Sequence, residues 1–152
     1  MKFKLLVISA LVSGLAGVTQ AAPLTISEPW IRAMPPNSRV IPIFFNLHNP
    51  SPEDRVLTAI HSDLGEVEIH ETVTVGDMKK MQPINALTIA AGKMAALKPG
   101  GYHGMMSHFT LGVPAEGEFV LLTLRYANGE SQEVNVEVVR REKASMLMTN
   151  SN

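Results

Sequence analysis

From Leu24 onward the chain reads as short segments of alternating apolar and polar residues, divided by turn signals. These fall at Pro35-Pro36-Asn37, Asn49-Pro50-Ser51-Pro52, Gly76-Asp77, Ala91-Gly92, Pro99-Gly100-Gly101, Pro114 to Gly117 and Asn128-Gly129. The segments 40–47, 66–73, 119–126 and 134–139 are rich in β-branched or aromatic residues, as half-buried strands are. No interval between the turns keeps a helical period, and no internal repeat is present, so the pattern predicts an all-β sandwich or barrel. Asn128-Gly129, flanked by alternating runs on both sides, predicts a hairpin closed by a two-residue primed turn.

Both ends depart from this pattern. Lys2 and Lys4 precede an apolar run over 5–18, and Thr19-Gln20-Ala21 follows with small residues at its outer positions. That is the three-part layout of a secretory signal peptide cleaved after Ala21. The run is shorter than the roughly twenty apolar residues of a membrane span, so no membrane anchor is expected after cleavage. Residues 141–152 lose the alternation and end in polar residues, which predicts a flexible C-terminal tail. A single β-sandwich domain over 22–140 is expected between the leader and the tail.

Charge and composition narrow the chemistry. The 13 basic residues include Lys2 and Lys4, so residues 22–152 carry 11 against 14 acidic ones, a formal −3, which makes nucleic acid a poor partner. There is no cysteine. Disulfides, thiolate metal sites, thiolate nucleophiles and a lipid-anchored cysteine are thereby excluded, and an exported chain without cysteine points to a bacterial periplasm. Methionine, in contrast, recurs at 34, 78, 81, 94, 105, 106, 146 and 148 after the leader. Such residues commonly fill gaps in a core, but a thioether is also a ligand for a soft metal.

No catalytic motif is present: G-x-S-x-G, G-x-G-x-x-G and a phosphate loop are all missing, and His70-Glu71 has no second histidine at zinc-protease spacing. No enzymatic activity is expected. The remaining chemistry lies in histidine and methionine. On a strand, period two sends Val67, Ile69 and Val73 to one face and Glu68, His70 and Thr72 to the other, so His70 lies on the polar face. If the following hairpin is centred between Val75 and Gly76, Met81 stands directly opposite His70. His103 and Met105 share one strand face with Gly104 between them, while Met106 points the opposite way. His48, His61 and His108 read as strand-end or loop residues and are not expected to be ligands.

Together these residues form His70-x10-Met81-x21-His103-x-Met105, and the spacing carries more information than any one of them. Here the chain resembles the periplasmic PCuAC-type copper chaperones. The likeness extends over Trp30-Ile31-Arg32-Ala33, 67–71, Met78-Lys79-Lys80-Met81 and the run 97–103. It implies a cupredoxin-like Greek-key β-sandwich that binds Cu(I) through His70, Met81, His103 and Met105. It further implies delivery of copper, to a cytochrome c oxidase subunit or another oxidase-assembly chaperone, for the dinuclear copper centre. A methionine often follows the first histidine in such proteins; Glu71 stands there in this chain. His/Met-rich C-terminal extensions also occur among them, and this tail has only Met146 and Met148.

The donor set suits the compartment. Thioether sulfur selects Cu(I), imidazole adds affinity, and neither forms a disulfide in an oxidising space. A blue-copper electron-transfer centre needs a cysteine thiolate, so that alternative is excluded. Copper storage or detoxification, and an exported β-sandwich that binds no metal, remain as the alternatives.

Overall fold

The computed structural model describes residues 22–140; the expected leader over 1–21 and tail over 141–152, with Met146 and Met148, lie outside the described residues. Ten strands follow in order: β1 Thr25–Arg32, β2 Val40–His48, β3 Arg55–His61, β4 Glu66–Val75, β5 Met78–Ile84, β6 Leu87–Ile89, β7 Met94–Leu97, β8 Tyr102–Ser107, β9 Phe119–Tyr126 and β10 Ser131–Val139. Among the described residues no helix is long and apolar enough to cross a membrane. The all-β expectation holds, and each of the four segments read as strands falls within an observed one.

The strands hydrogen-bond in the order β5-β4-β8-β7-β2-β1-β10-β9-β3-β6, with β8 also paired to β2. Contacts of β3 with β4, and of β6 with β7, fold this ladder back on itself into two facing layers. β1 runs along the bend, antiparallel to β2 and parallel to β10. Most strands consecutive in the chain are not ladder neighbours, so the chain crosses between layers as Greek-key connections do.

Alternation explains the layering. Along β9, Val120, Leu122, Leu124 and Tyr126 are buried while Phe119, Leu121 and Arg125 face outward. Along β2, Ile41, Ile43, Phe45 and Leu47 enter the same core. Burying one such aliphatic side chain contributes roughly 1.5–3 kcal/mol, and a register slip of one residue would turn each of these sets to solvent. A smaller cluster of Trp30, Phe44 and Val139 is buried separately, its two rings 4.4 Å apart.

Two turns differ from expectation. The last pair of the β9–β10 hairpin is closed by Tyr126 N–H donating to Glu130 O at 3.0 Å, so the loop has three residues, Ala127-Asn128-Gly129. Gly129 takes φ +85° while Asn128 stays at negative φ. A type I turn followed by a left-handed glycine replaces the primed turn, and Asn128 Oδ1 accepts from Glu130 N–H at 3.1 Å. In the β4–β5 hairpin the final pair is Val75 with Met78, leaving Gly76-Asp77 as a two-residue loop. Gly76 has φ +61° and Asp77 does not share it, the pattern of a II′ turn with glycine first. The hairpin is therefore centred one residue later than expected.

The β2–β3 corner is held by a buried side chain. Asn49 Nδ2 donates to Glu53 O at 2.8 Å and Ile89 O at 2.9 Å, and its Oδ1 accepts from Ser51 N–H and Oγ–H at 3.1 and 2.7 Å. Asn49→Ala would strand these partners inside the fold. We expect a loss of about 1–3 kcal/mol, seen as a lower urea midpoint at unchanged slope; an unchanged midpoint would contradict this role for the corner.

Candidate metal centre

β4 and β8 pair antiparallel with His70 directly across from His103. Their rings are 5.9 Å apart between centroids. In the same ladder Met105 stands opposite Glu68, and on its other side β8 sets Met105 against Pro42 of β2. Period two then puts His70, Glu68, Thr72, His103 and Met105 on one face. Met106 turns the other way and is fully buried in the core, as the alternation predicted.

Met81 does not oppose His70. With the hairpin centred on Gly76-Asp77, Met81 pairs with Thr72 and His70 pairs with Pro83. The displacement is two residues, an even number, so Met81 keeps the expected face and becomes the diagonal neighbour of His70, at about 7–8 Å. It lies on an edge strand and is 63 % exposed.

Gly104 explains how β8 can come so close. A Cβ built there would meet Ile43 Cβ at 3.1 Å and Val67 Cγ1 at 3.6 Å. The small residue between His103 and Met105 thus answers to the core behind the site. The chain enters β8 through Lys98-Pro99-Gly100-Gly101, a turn with proline second, Gly100 at φ +84° third, and Gly101 N–H donating to Lys98 O at 3.0 Å. This turn presents Gly101 O to two donors: Thr72 N–H of β4 at 3.2 Å and the His103 ring through Nδ1 at 3.1 Å.

That second contact sets the chemistry of His103. A carbonyl only accepts, so Nδ1 carries the proton and Nε2 of the neutral ring carries the lone pair. His103 is 3 % exposed, and its Nε2 is buried without a hydrogen-bond partner. A buried acceptor left unpaired is destabilising by about 1–3 kcal/mol. Thr72 Oγ1, in the same wall, is also buried and unpartnered. His70 is less enclosed, at 18 % side-chain exposure, with Nε2 at 3.1 Å from Glu68 Oε2. A carboxylate on the second ring nitrogen is the usual device for orienting a ligating histidine.

A cavity of about 260 Å3 lies over this face, lined among others by Met34, Phe44, Thr72, Met81, His103 and Met105. His103, Met81 and Met105 therefore share one cavity, and His70 flanks it beside the His103 ring. Reasoning from sequence gave Thr72 its face but no role, and did not bring Met34 or Phe44 to the site. Met34 lies in the loop after β1, where no periodicity marks it, and Phe44 reads as core although its ring lies 6.5 Å from that of His103. Among the described residues, no group of three or more His, Asp or Glu side chains is arranged to hold a metal.

The remaining histidines lie elsewhere. His61 pairs with Asp63 at 3.2 Å, His108 with Glu66 at 3.3 Å, and His48 ends β2. Glu71 alternates to the strand face opposite His70 and stands across from Tyr102. Burial, with the Glu71 carboxylate adding to it, pushes the Tyr102 hydroxyl above its ordinary pKa. Glu71 is thus no substitute ligand.

The model of the lipoprotein LpqE-like family matches residues 24–138. The chain belongs to the LpqE-like family. No curated protein sequence matches it. Among solved structures, the Cu(I) form of DR1885 from Deinococcus radiodurans is 27 % identical with a TM-score of 0.64, covering 81 % of this chain and 83 % of that one. Apo-DR1885 is 25 % identical with a TM-score of 0.60, covering 93 % and 94 %. The copper-bound PCuAC domain from PmoF2 is 16 % identical with a TM-score of 0.64, covering 80 % and 96 %, a likeness of fold. The cupredoxin-like sandwich implied by resemblance is the fold of this chain.

The proton on His103 can be located directly. Long-range nitrogen–proton NMR of the metal-free protein should find the neutral ring with hydrogen on Nδ1 and a pyridine-type Nε2. The opposite tautomer would contradict the bond from Nδ1 to Gly101 O.

Proposed function

We propose that this chain is a periplasmic Cu(I) metallochaperone that carries its ion on His70, Met81, His103 and Met105. The observation that carries this reading is the orphaned Nε2 of His103, a residue that lines one cavity together with Met81 and Met105. A lone pair withdrawn from water and given no protein donor is suited to a metal ion, and the sulfur neighbours select a soft one. Two imidazoles and two thioethers carry no negative charge, so a bound monovalent cation would leave one positive charge, which the Glu68 carboxylate beside His70 would face. The likeness to the Cu(I) form of DR1885 supports the same ion.

The mature domain over 22–140 would reach the periplasm through the leader at 1–21. The family's description as lipoprotein accords with an extracytoplasmic setting, although no cysteine is present here to carry a lipid. The graded exposure of the donors suits transfer. Met81, on the edge strand, would release or receive copper first, while His103, pinned by Gly101 O, would let go last. Stepwise exchange with a partner's ligands then avoids a free aqueous ion. The acceptor proposed is a cytochrome c oxidase subunit or an oxidase-assembly chaperone, for the dinuclear copper centre.

Competition against a Cu(I) chelator tests the site. His103→Ala and Met81→Leu should each weaken binding by at least about 10–100-fold, the range lost even with outer-shell partners, whereas His108→Ala should leave it unchanged. Equal affinity in all four proteins would refute the assignment. Deleting the gene should lower oxidase activity under copper limitation, with recovery on added copper; activity unaffected at every copper level would favour storage or detoxification.

A further inference from the structure

Met94 is a large apolar side chain left 60 % exposed at the start of β7. Its direct partner across the β2–β7 ladder is His48. Along β2, Ile41, Ile43, Phe45 and Leu47 take the core face, so His48 and Met94 both project from the outer one. Among the described residues His48 makes no side-chain hydrogen bond or ion pair that would occupy its ring. We infer that His48 and Met94 form a second, weaker soft-metal site that holds one Cu(I) between an imidazole nitrogen and a thioether sulfur.

The geometry favours a shared ion. Directly opposed residues of an antiparallel pair have Cβ atoms about 4.5–5.5 Å apart, close enough for one ion to bridge the two side chains. The strand ends are fixed as well: Asn49 N–H donates to Lys93 O at 2.8 Å just beyond the pair, and the Asn49 side chain is anchored in the buried corner. Imidazole plus thioether is the donor pairing of the larger cavity, and a d10 ion accepts two ligands where harder ions demand more. The pair is also separate from that cavity. Met105 stands against Pro42, and six residues of β2 at about 3.4 Å each put His48 roughly 20 Å away. The second site therefore goes beyond the proposed four-residue centre and stands or falls without it.

Ag(I), a redox-stable d10 stand-in for Cu(I), supplies the probe. The full chain, labelled with carbon-13 at methionine methyls, is titrated with silver nitrate in chloride-free buffer. The Met94 methyl should shift and saturate after the methyls of Met81 and Met105. His48→Ala should weaken the Met94 response by more than about tenfold and leave the Met81 and Met105 responses unaltered. A Met94 methyl that stays still in excess Ag(I), or one that responds equally in His48→Ala, would overturn the inference. Movement of Met94 with no movement of Met81 or Met105 would retain this site and sink the four-residue one.

Discussion

The candidate site depends on one backbone constraint, the antiparallel register between β4 and β8. From Glu66 with Ser107 to Glu71 with Tyr102, that ladder sets His70 on His103. A slip of one residue would send His103 into the core and bring its neighbours out, since side chains alternate with period two. Two features oppose such a slip. Gly104 lets β8 lie against Ile43 where any side chain would be crowded. The Pro99-Gly100 turn delivers Gly101 O to both the β4 backbone and the His103 ring.

From that register the rest of the site follows by short steps. Met105 is two residues further along the same face, and Met81 arrives from the neighbouring edge strand through a hairpin whose centre is set by Gly76. Phe44, packed on Trp30, forms part of the cavity wall near the His103 ring. An unpaired imidazole nitrogen and an unpaired threonine hydroxyl in one wall lower stability locally. Buried polar groups are generally satisfied, and a bound water or ion is one way of satisfying these.

Alternation was informative wherever one face of a strand is buried. It located β2, β4, β9 and part of β10, put His70 on the polar face, and separated Met105 from Met106. It was uninformative about turns. The loops at Gly76-Asp77 and Ala127-Asn128-Gly129 contain residues compatible with more than one turn type, and strand sterics select among these only when both strands are present. Hence the opposition expected of His70 and Met81 became a diagonal, yet the shared face survived because the displacement was even.

The sequence by itself determined the all-β class, the faces on which the donors lie, and, through the absence of cysteine and the His/Met spacing, the soft and neutral character of the candidate ligands. These are local properties, set by residue type and by period two. The tertiary structure decided which side chains meet: His70 against His103, Met34 and Phe44 at the cavity, His48 against Met94, and the nitrogen of His103 left without a partner. Those pairings join strands remote in the chain, and their register is set by packing across the sandwich, which no local pattern encodes.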